Sequence, residues 1–367
     1  MAVSSTFRPV AATAGILFCC GGVGALPLNG ITVAADGSGD FRTVQAAIDS
    51  LPTRGTLPVV IRIKPGTYKE RLHLGPVSMP VTLAGEGPGA AEKTVLTYDL
   101  SARSTGADGK PVGTGGSASV DLQADDFTAT DLSFENSAGS GKMVGQAVAV
   151  KVTGDRCVFR RCRFIGWQDT LYASAASVPI PTPTSVPAVS SPGAAPRSPM
   201  PGANRLCRQY YQDCFITGDV DFIFGSARAV FDRSIIHSRA SGAITAHART
   251  APSQPGGYVF RDCDLTADGV VPAGSVTLGR PWRPYARVVY LGCRMGLHIS
   301  PKGWGNWNDP AREKTAFYAE ADNLGPGASR TERVPWARTL SAAEKTDFAT
   351  SHFLAGADHW NPERQKG

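Results

Sequence analysis

One six-residue phrase recurs through the middle of this chain and limits the possible folds more than any other feature. In Phe159-Arg160-Arg161-Cys162-Arg163-Phe164 an apolar residue is followed by two mostly polar ones, a small or apolar residue, a variable one and a closing apolar one. Ala129-Thr130-Asp131-Leu132-Ser133-Phe134, Tyr211-Gln212-Asp213-Cys214-Phe215-Ile216 and Phe231-Asp232-Arg233-Ser234-Ile235-Ile236 repeat it. So do Phe260-Arg261-Asp262-Cys263-Asp264-Leu265 and Tyr290-Leu291-Gly292-Cys293-Arg294-Met295. The fourth positions are 132, 162, 214, 234, 263 and 293, so the steps are 30, 52, 20, 29 and 30. The long step contains a Pro/Ser/Ala-rich stretch at 173–204, read as a structureless insertion of 32 residues, and removing it leaves 20. Short β-rich segments returning at such intervals predict a solenoid. The expected class is all-β, a single-stranded right-handed parallel β-helix with short capping helices and a C-terminal helix. A β-sandwich is the alternative, but its strands need no repeated phrase at near-constant spacing.

The flanking segments fit a cap-and-body scheme. Ile31 to Ala35, Val59 to Ile63 and Val81 to Ala84 read as strands, and Thr43 to Ile48 has the apolar spacing of a short helix stopped by Leu51-Pro52. Ser341-Ala342-Ala343-Glu344 has capping-box spacing and predicts a helix over the open end of the solenoid. Residues 1–25 carry one charge, Arg8, ahead of an apolar stretch too short and glycine-rich to span a membrane, and Val23-Gly24-Ala25 suits a cleavage site. This stretch is read as a secretory signal peptide, with 26–367 as one catalytic domain. Cys157, Cys162, Cys207, Cys214, Cys263 and Cys293 show no CxxC spacing, which argues against a zinc site. In an exported chain they are free to pair or simply to pack. The net charge of +6 suits an anionic partner, but no Lys/Arg run points to nucleic acid.

Gly218-Asp219-Val220-Asp221-Phe222-Ile223-Phe224-Gly225 puts acids inside an apolar run. Two readings follow: a strand whose Asp219 and Asp221 face solvent, or a catalytic carboxylate on a strand, kept ionised by a cation from elsewhere. The repeat bears on the choice. Asp169 lies seven residues after Cys162, and Asp221 seven after Cys214. On adjacent coils the two would share a register, about 4.8 Å apart, and such proximity drives their pKa values apart. One then serves as proton donor and the other as anion. Retaining glycosidases use a similar pair, so the geometry alone leaves the reaction open. Gln146, in an apolar strand, and Gln168 are candidate oxyanion donors. Arg280 is the candidate cation for Asp221, and Trp282 a candidate sugar platform.

These residues fall in segments that resemble the pectin methylesterase (pectinesterase) family: Gly66-Thr67-Tyr68-Lys69-Glu70, Gln146-Ala147-Val148-Ala149, Gly166-Trp167-Gln168-Asp169-Thr170-Leu171, Gly218 to Gly225, and Leu278-Gly279-Arg280-Pro281-Trp282. Ala35-Asp36-Gly37-Ser38-Gly39-Asp40-Phe41 is similar as well. The resemblance implies a right-handed parallel β-helix that hydrolyses galacturonate methyl esters of pectin to pectate and methanol, without metal or other cofactor. By position it implies Asp221 as nucleophile, Asp169 as acid and then base, Gln146 and Gln168 as oxyanion donors and Arg280 as the residue orienting Asp221. Thr114 and Trp282, with Gln146 and Arg280, are the implied substrate contacts. Trp304 and Trp307 either line the cleft or pack in the core. The expected partner is the polysaccharide, met by a secreted monomer with no membrane span and no nucleic acid.

Three rival readings were weighed. A serine esterase lacks its Gly-x-Ser-x-Gly elbow here. A pectate lyase or polygalacturonase would share the fold but not the chemistry. The third is a repurposed member of the same fold, an acyl-thioesterase or a non-catalytic carbohydrate binder, and a binder would have no need of the acid pair.

Overall fold

The computed structural model describes residues 30–52, 54–175 and 206–364. Among these, parallel strands stack into sheets of 11, 7 and 8 strands. The order in each sheet follows the chain, each strand pairing with its counterpart one coil away, as in Phe159 to Tyr211 to Phe231 to Phe260. That is the expected parallel β-helix.

Every position of the recurrent phrase has a structural task. Its first residue points inward, so Phe159, Tyr211, Phe231, Phe260 and Tyr290 stack in one file with centroids 4.9, 4.7, 4.6 and 4.4 Å apart. This is the strand spacing repeated by side chains, and each ring pair adds about 0.5–1.5 kcal/mol beyond simple burial. The third residue turns the corner between two sheets in left-handed conformation, with φ of +57° at Asp131, +50° at Arg161, +53° at Asp213, +46° at Arg233, +52° at Asp262 and +65° at Gly292. Charges alternate along this edge and pair between coils, as Arg161 with Asp131 and Arg233 with Asp213. The fourth residue returns inward. Cys162, Cys214, Cys263 and Cys293 are buried there as free thiols, each directed at a backbone carbonyl. Of the two options left open by the sequence, the six described cysteines pack rather than pair.

The helix Val44–Asp49, capped by Thr43, buries Val44, Ala47 and Ile48 at one end of the core. Glu70 accepts hydrogen bonds from the amides of Val44 and Gln45 and so fixes the helix entry. The C-terminal helix has the predicted capping box at Ser341 and Glu344, but its segment does not cover the open end. Leu340, Phe348, Phe353, Leu354 and Trp360 instead pack on the outer face of the long sheet, against Val158, Tyr210, Val230, Val259 and Val289. That face exposes an apolar row which must be covered, and an amphipathic segment meets it as well as it would a coil end. The last coil is closed by Trp336 against Tyr318, beside a buried Arg333–Glu320 ion pair.

One boundary also differs from expectation. Ala173 closes the strand Leu171–Ala173, so the inserted stretch starts later than predicted, because Ala173 fills a core position. The remainder of that insertion, from 176 to 204, and the signal-like residues 1–25 lie outside the described residues.

Candidate active site

The site grows from the turn between the strands Phe215–Gly218 and Ile223–Gly225. Glycine is required at its start, since a Cβ on Gly218 would lie 2.5 Å from the Trp167 carbonyl oxygen. Asp221 does not lie on a strand, as the apolar run suggested. It occupies the bend with φ of +51°, a conformation that cannot continue a strand, and Asp169 on the neighbouring coil has φ of +66°. The pairing of Leu171 with Ile223, two residues after each acid, puts the carboxylates in the same register. Neither faces solvent: Asp169 is 8% exposed and Asp221 6%, and Asp219 is buried beside them.

Arg280 enters from the strand Val276–Pro281, two coils further on. Its Nε and Nη2 donate to the two carboxylate oxygens of Asp221 at 2.8 and 2.7 Å, a bidentate fork. Its opposite face lies 4.2 Å from the centre of the Trp307 ring. Burial pushes Asp221 up from the ordinary carboxylate range, and Arg280 pulls it back. Asp169 has no such fork. Burial first, and then the charge of Asp221, push it well above the usual range. Burial raises both carboxyls, but only Asp221 has a cation donating to it among the described residues, so Asp169 is pushed further up.

A cavity of about 540 Å³ opens over this pair. Asp169, Asp221, Arg280, Gln146, Gln168, Trp282 and Thr114 all line it, so every predicted site residue reaches one space. Gln146 is not within a strand, as its apolar neighbours implied. It precedes the strand Val150–Val152 and follows the short helix Gly141–Val144, a loop position that leaves its side chain at the cavity wall. Thr114 sits in the one-turn helix Gly113–Gly116 across the cavity. The two tryptophans of 303–307 divide: Trp307 lines the cavity, whereas Trp304 is buried against Tyr318 and donates to Glu320.

Sequence reasoning missed several lining groups. Tyr172 and Phe224 stack at 4.2 Å, and Phe224 meets Trp282 at 6.0 Å, forming an aromatic floor. A usable signal existed, because each lies three residues after its aspartate, outward on the same sheet. Lys151 and Arg283 add positive charge to the walls. The chemistry available is that of a buried anion held in place, a neighbouring protonated acid, unengaged amide donors and an aromatic surface suited to a sugar ring.

The sequence profile described as pectinesterase matches residues 30–177 and 204–357, leaving out most of the Pro/Ser/Ala-rich stretch. Pectinesterase 31 of Arabidopsis thaliana is 38% identical over 328 residues, covering 88% of this chain and 92% of its own length. The crystal structure of the carrot pectin methylesterase superposes with a TM-score of 0.74 at 31% identity, covering 89% of this chain and 93% of that one. A pectin methylesterase solved in complex with a hexasaccharide gives 0.71 at 28% identity, covering 92% and 99%.

Proposed function

Because this chain belongs to the pectinesterase family and hydrolyses the methyl esters of pectin to pectate and methanol, we propose that Asp221 is its nucleophile and Asp169 its proton shuttle. An oxygen of Asp221 attacks the ester carbonyl of a galacturonate residue, and the carbonyl electrons move to oxygen. The amides of Gln146 and Gln168 donate to that oxyanion, which is stronger in the transition state than in the ground state. Collapse expels the methoxy group, which takes the proton of Asp169 and leaves as methanol. The product is an anhydride between Asp221 and the uronate. Asp169, now ionised, removes a proton from water, and the resulting hydroxide attacks the uronate carbonyl. Asp221 departs as carboxylate, and the proton rests again on Asp169. Arg280 keeps Asp221 ionised and aimed before attack and stabilises it as leaving group. Trp282, with the Tyr172–Phe224 floor and Thr114, orients the sugar.

The observation that carries this reading is the unequal treatment of the two acids. Asp221 is forked by Arg280, while Asp169, buried in the same register, has no cationic partner donating to it among the described residues. No observation favours a repurposed thioesterase or a sugar-binding protein. The enzyme is read as an exported monomer with its catalytic domain at 26–367; among the described residues no helix is long and apolar enough to cross a membrane.

The test is methanol release from highly methylated pectin with excess EDTA, wild type beside Asp221→Ala. Release by the wild type alone, unaffected by EDTA, is expected. Near-normal release by a folded Asp221→Ala protein would remove the nucleophile assignment, and uronate double bonds in place of methanol would mean lyase chemistry.

A further inference from the structure

On the outer face of the long sheet, away from the cleft, the first outward position of successive coils forms a row of arginines. Arg208, Arg228 and Gly257 are cross-strand partners; Arg287 stands opposite Phe317 on the next strands and one residue before the Tyr258–Val288 pairing. The head of this row is neutralised. Arg156 binds Asp126 and Asp155, and Arg208 binds Asp155 and Asp358. From Arg228 onward the acids stop.

Arg228 and Arg287 have no carboxylate partner among the described residues. Both are partly buried, and the Nε of each is a buried donor with no acceptor. Their guanidinium groups meet only rings: Arg228 lies 4.7 Å from the centre of Phe353, and Arg287 5.7 Å from Phe317. They also converge. A Cβ on Gly257 would lie 2.8 Å from Cδ of Arg287 and 3.2 Å from Phe353, so the side chain of Arg287 leans across the glycine toward Arg228. Burial depresses both groups, and the charges of Arg287 and then Arg208 depress Arg228 further. Like charges that lean together while losing water lack a counter-charge.

We propose that Arg228 and Arg287 form, beside Gly257, a binding site for a small oxoanion of carboxylate or phosphate chemistry, which ties the C-terminal segment to the sheet at Phe353. Guanidinium forks suit both anion types. The absent side chain at Gly257 lets the Arg287 stem cross toward Arg228, and partial exposure of both arginines supplies entry. The site is independent of the catalytic reading, as none of its residues lines the cleft.

The experiment titrates inorganic phosphate, and separately galacturonate, into the full-length protein at constant ionic strength made up with chloride, and follows thermal unfolding. A saturable rise of the midpoint, about 2 °C or more at ten times the dissociation constant, is expected in the wild type. It should vanish in Arg228→Gln and weaken in Gly257→Ala, which keeps both charges but displaces the Arg287 stem. Methanol release by Arg228→Gln should be unchanged. A response to phosphate alone identifies a phosphate source, and a response to galacturonate identifies the uronate product. No saturable rise with either anion, or an equal rise in both variants, overturns the proposal. If Arg228→Gln fails to fold, the wild-type titration and Gly257→Ala decide alone.

Discussion

Replacing Arg280 by Gln removes two charge-assisted hydrogen bonds, of 2.8 and 2.7 Å, from a carboxylate that has little water to replace them. Such bonds are worth about 1.5–3 kcal/mol each where the charge is desolvated. The side chain of Arg280 is 36% exposed against 8% for Asp221, so solvent recovers part of the loss. A net bias of about 2 kcal/mol toward ionised Asp221 is a reasonable figure, and at 1.36 kcal/mol per unit it equals about 1.5 pK units. The ionised form attacks, so raising its pKa moves the acid limb of the pH–rate profile upward. The expected result is an acid limb of kcat/KM displaced by about 1.5 pH units, with about 30-fold less activity on the limb itself. Arg280→Lys keeps the charge but not the fork and should shift the limb by less. The assay is methanol release from methylated pectin across the acid range, beside a folding check by circular dichroism. An acid limb identical to wild type in a folded Arg280→Gln protein would refute the claim that Arg280 holds Asp221 ionised.

Asp169→Asn should abolish most turnover, since an amide supplies no proton, yet raise stability near neutral pH. The folded-state pKa of Asp169 is raised, so its ionisation opposes folding as pH climbs above its ordinary 3.8, and no such cost exists below that value. Thermal unfolding of the pair should therefore show the variant ahead at pH 7 and the gap closing near pH 3; an unchanged gap would contradict the burial argument. Phe224→Ala removes the ring between Tyr172 and Trp282 and should raise KM about 5- to 30-fold with a smaller change in kcat, as expected for a stacking surface worth about 1–2 kcal/mol. An unaltered KM would exclude the aromatic floor from sugar binding.

Much of the site was legible because a solenoid converts sequence distance into spatial register. The seven-residue offset from a core cysteine to Asp169, and again to Asp221, sufficed to align two acids 52 residues apart. The same logic would have reached Tyr172 and Phe224, had the outward positions after each acid been followed. Other features could not be read in this way. Arg280 lies two coils from Asp221, and its fork depends on the side chain crossing between strands, which no repeat encodes. Trp304 and Trp307 are three residues apart in one glycine-rich loop, yet one fills the core and the other faces the cleft. The loop's path decides that, not its composition.

By itself the sequence determined the coil, the recurrent apolar positions of its phrase and the common register of Asp169 and Asp221. These follow from local pattern and a constant period, so each coil repeats the same instructions. Only the tertiary structure decided where the C-terminal helix lies, that Arg280 forks both oxygens of Asp221 while donating nothing to Asp169, and that among the described residues no carboxylate reaches Arg228 or Arg287. An amphipathic helix specifies that it must cover apolar surface but not which surface. A charged side chain likewise specifies that it wants a partner, and whether one arrives depends on what the next coils bring within a few ångströms.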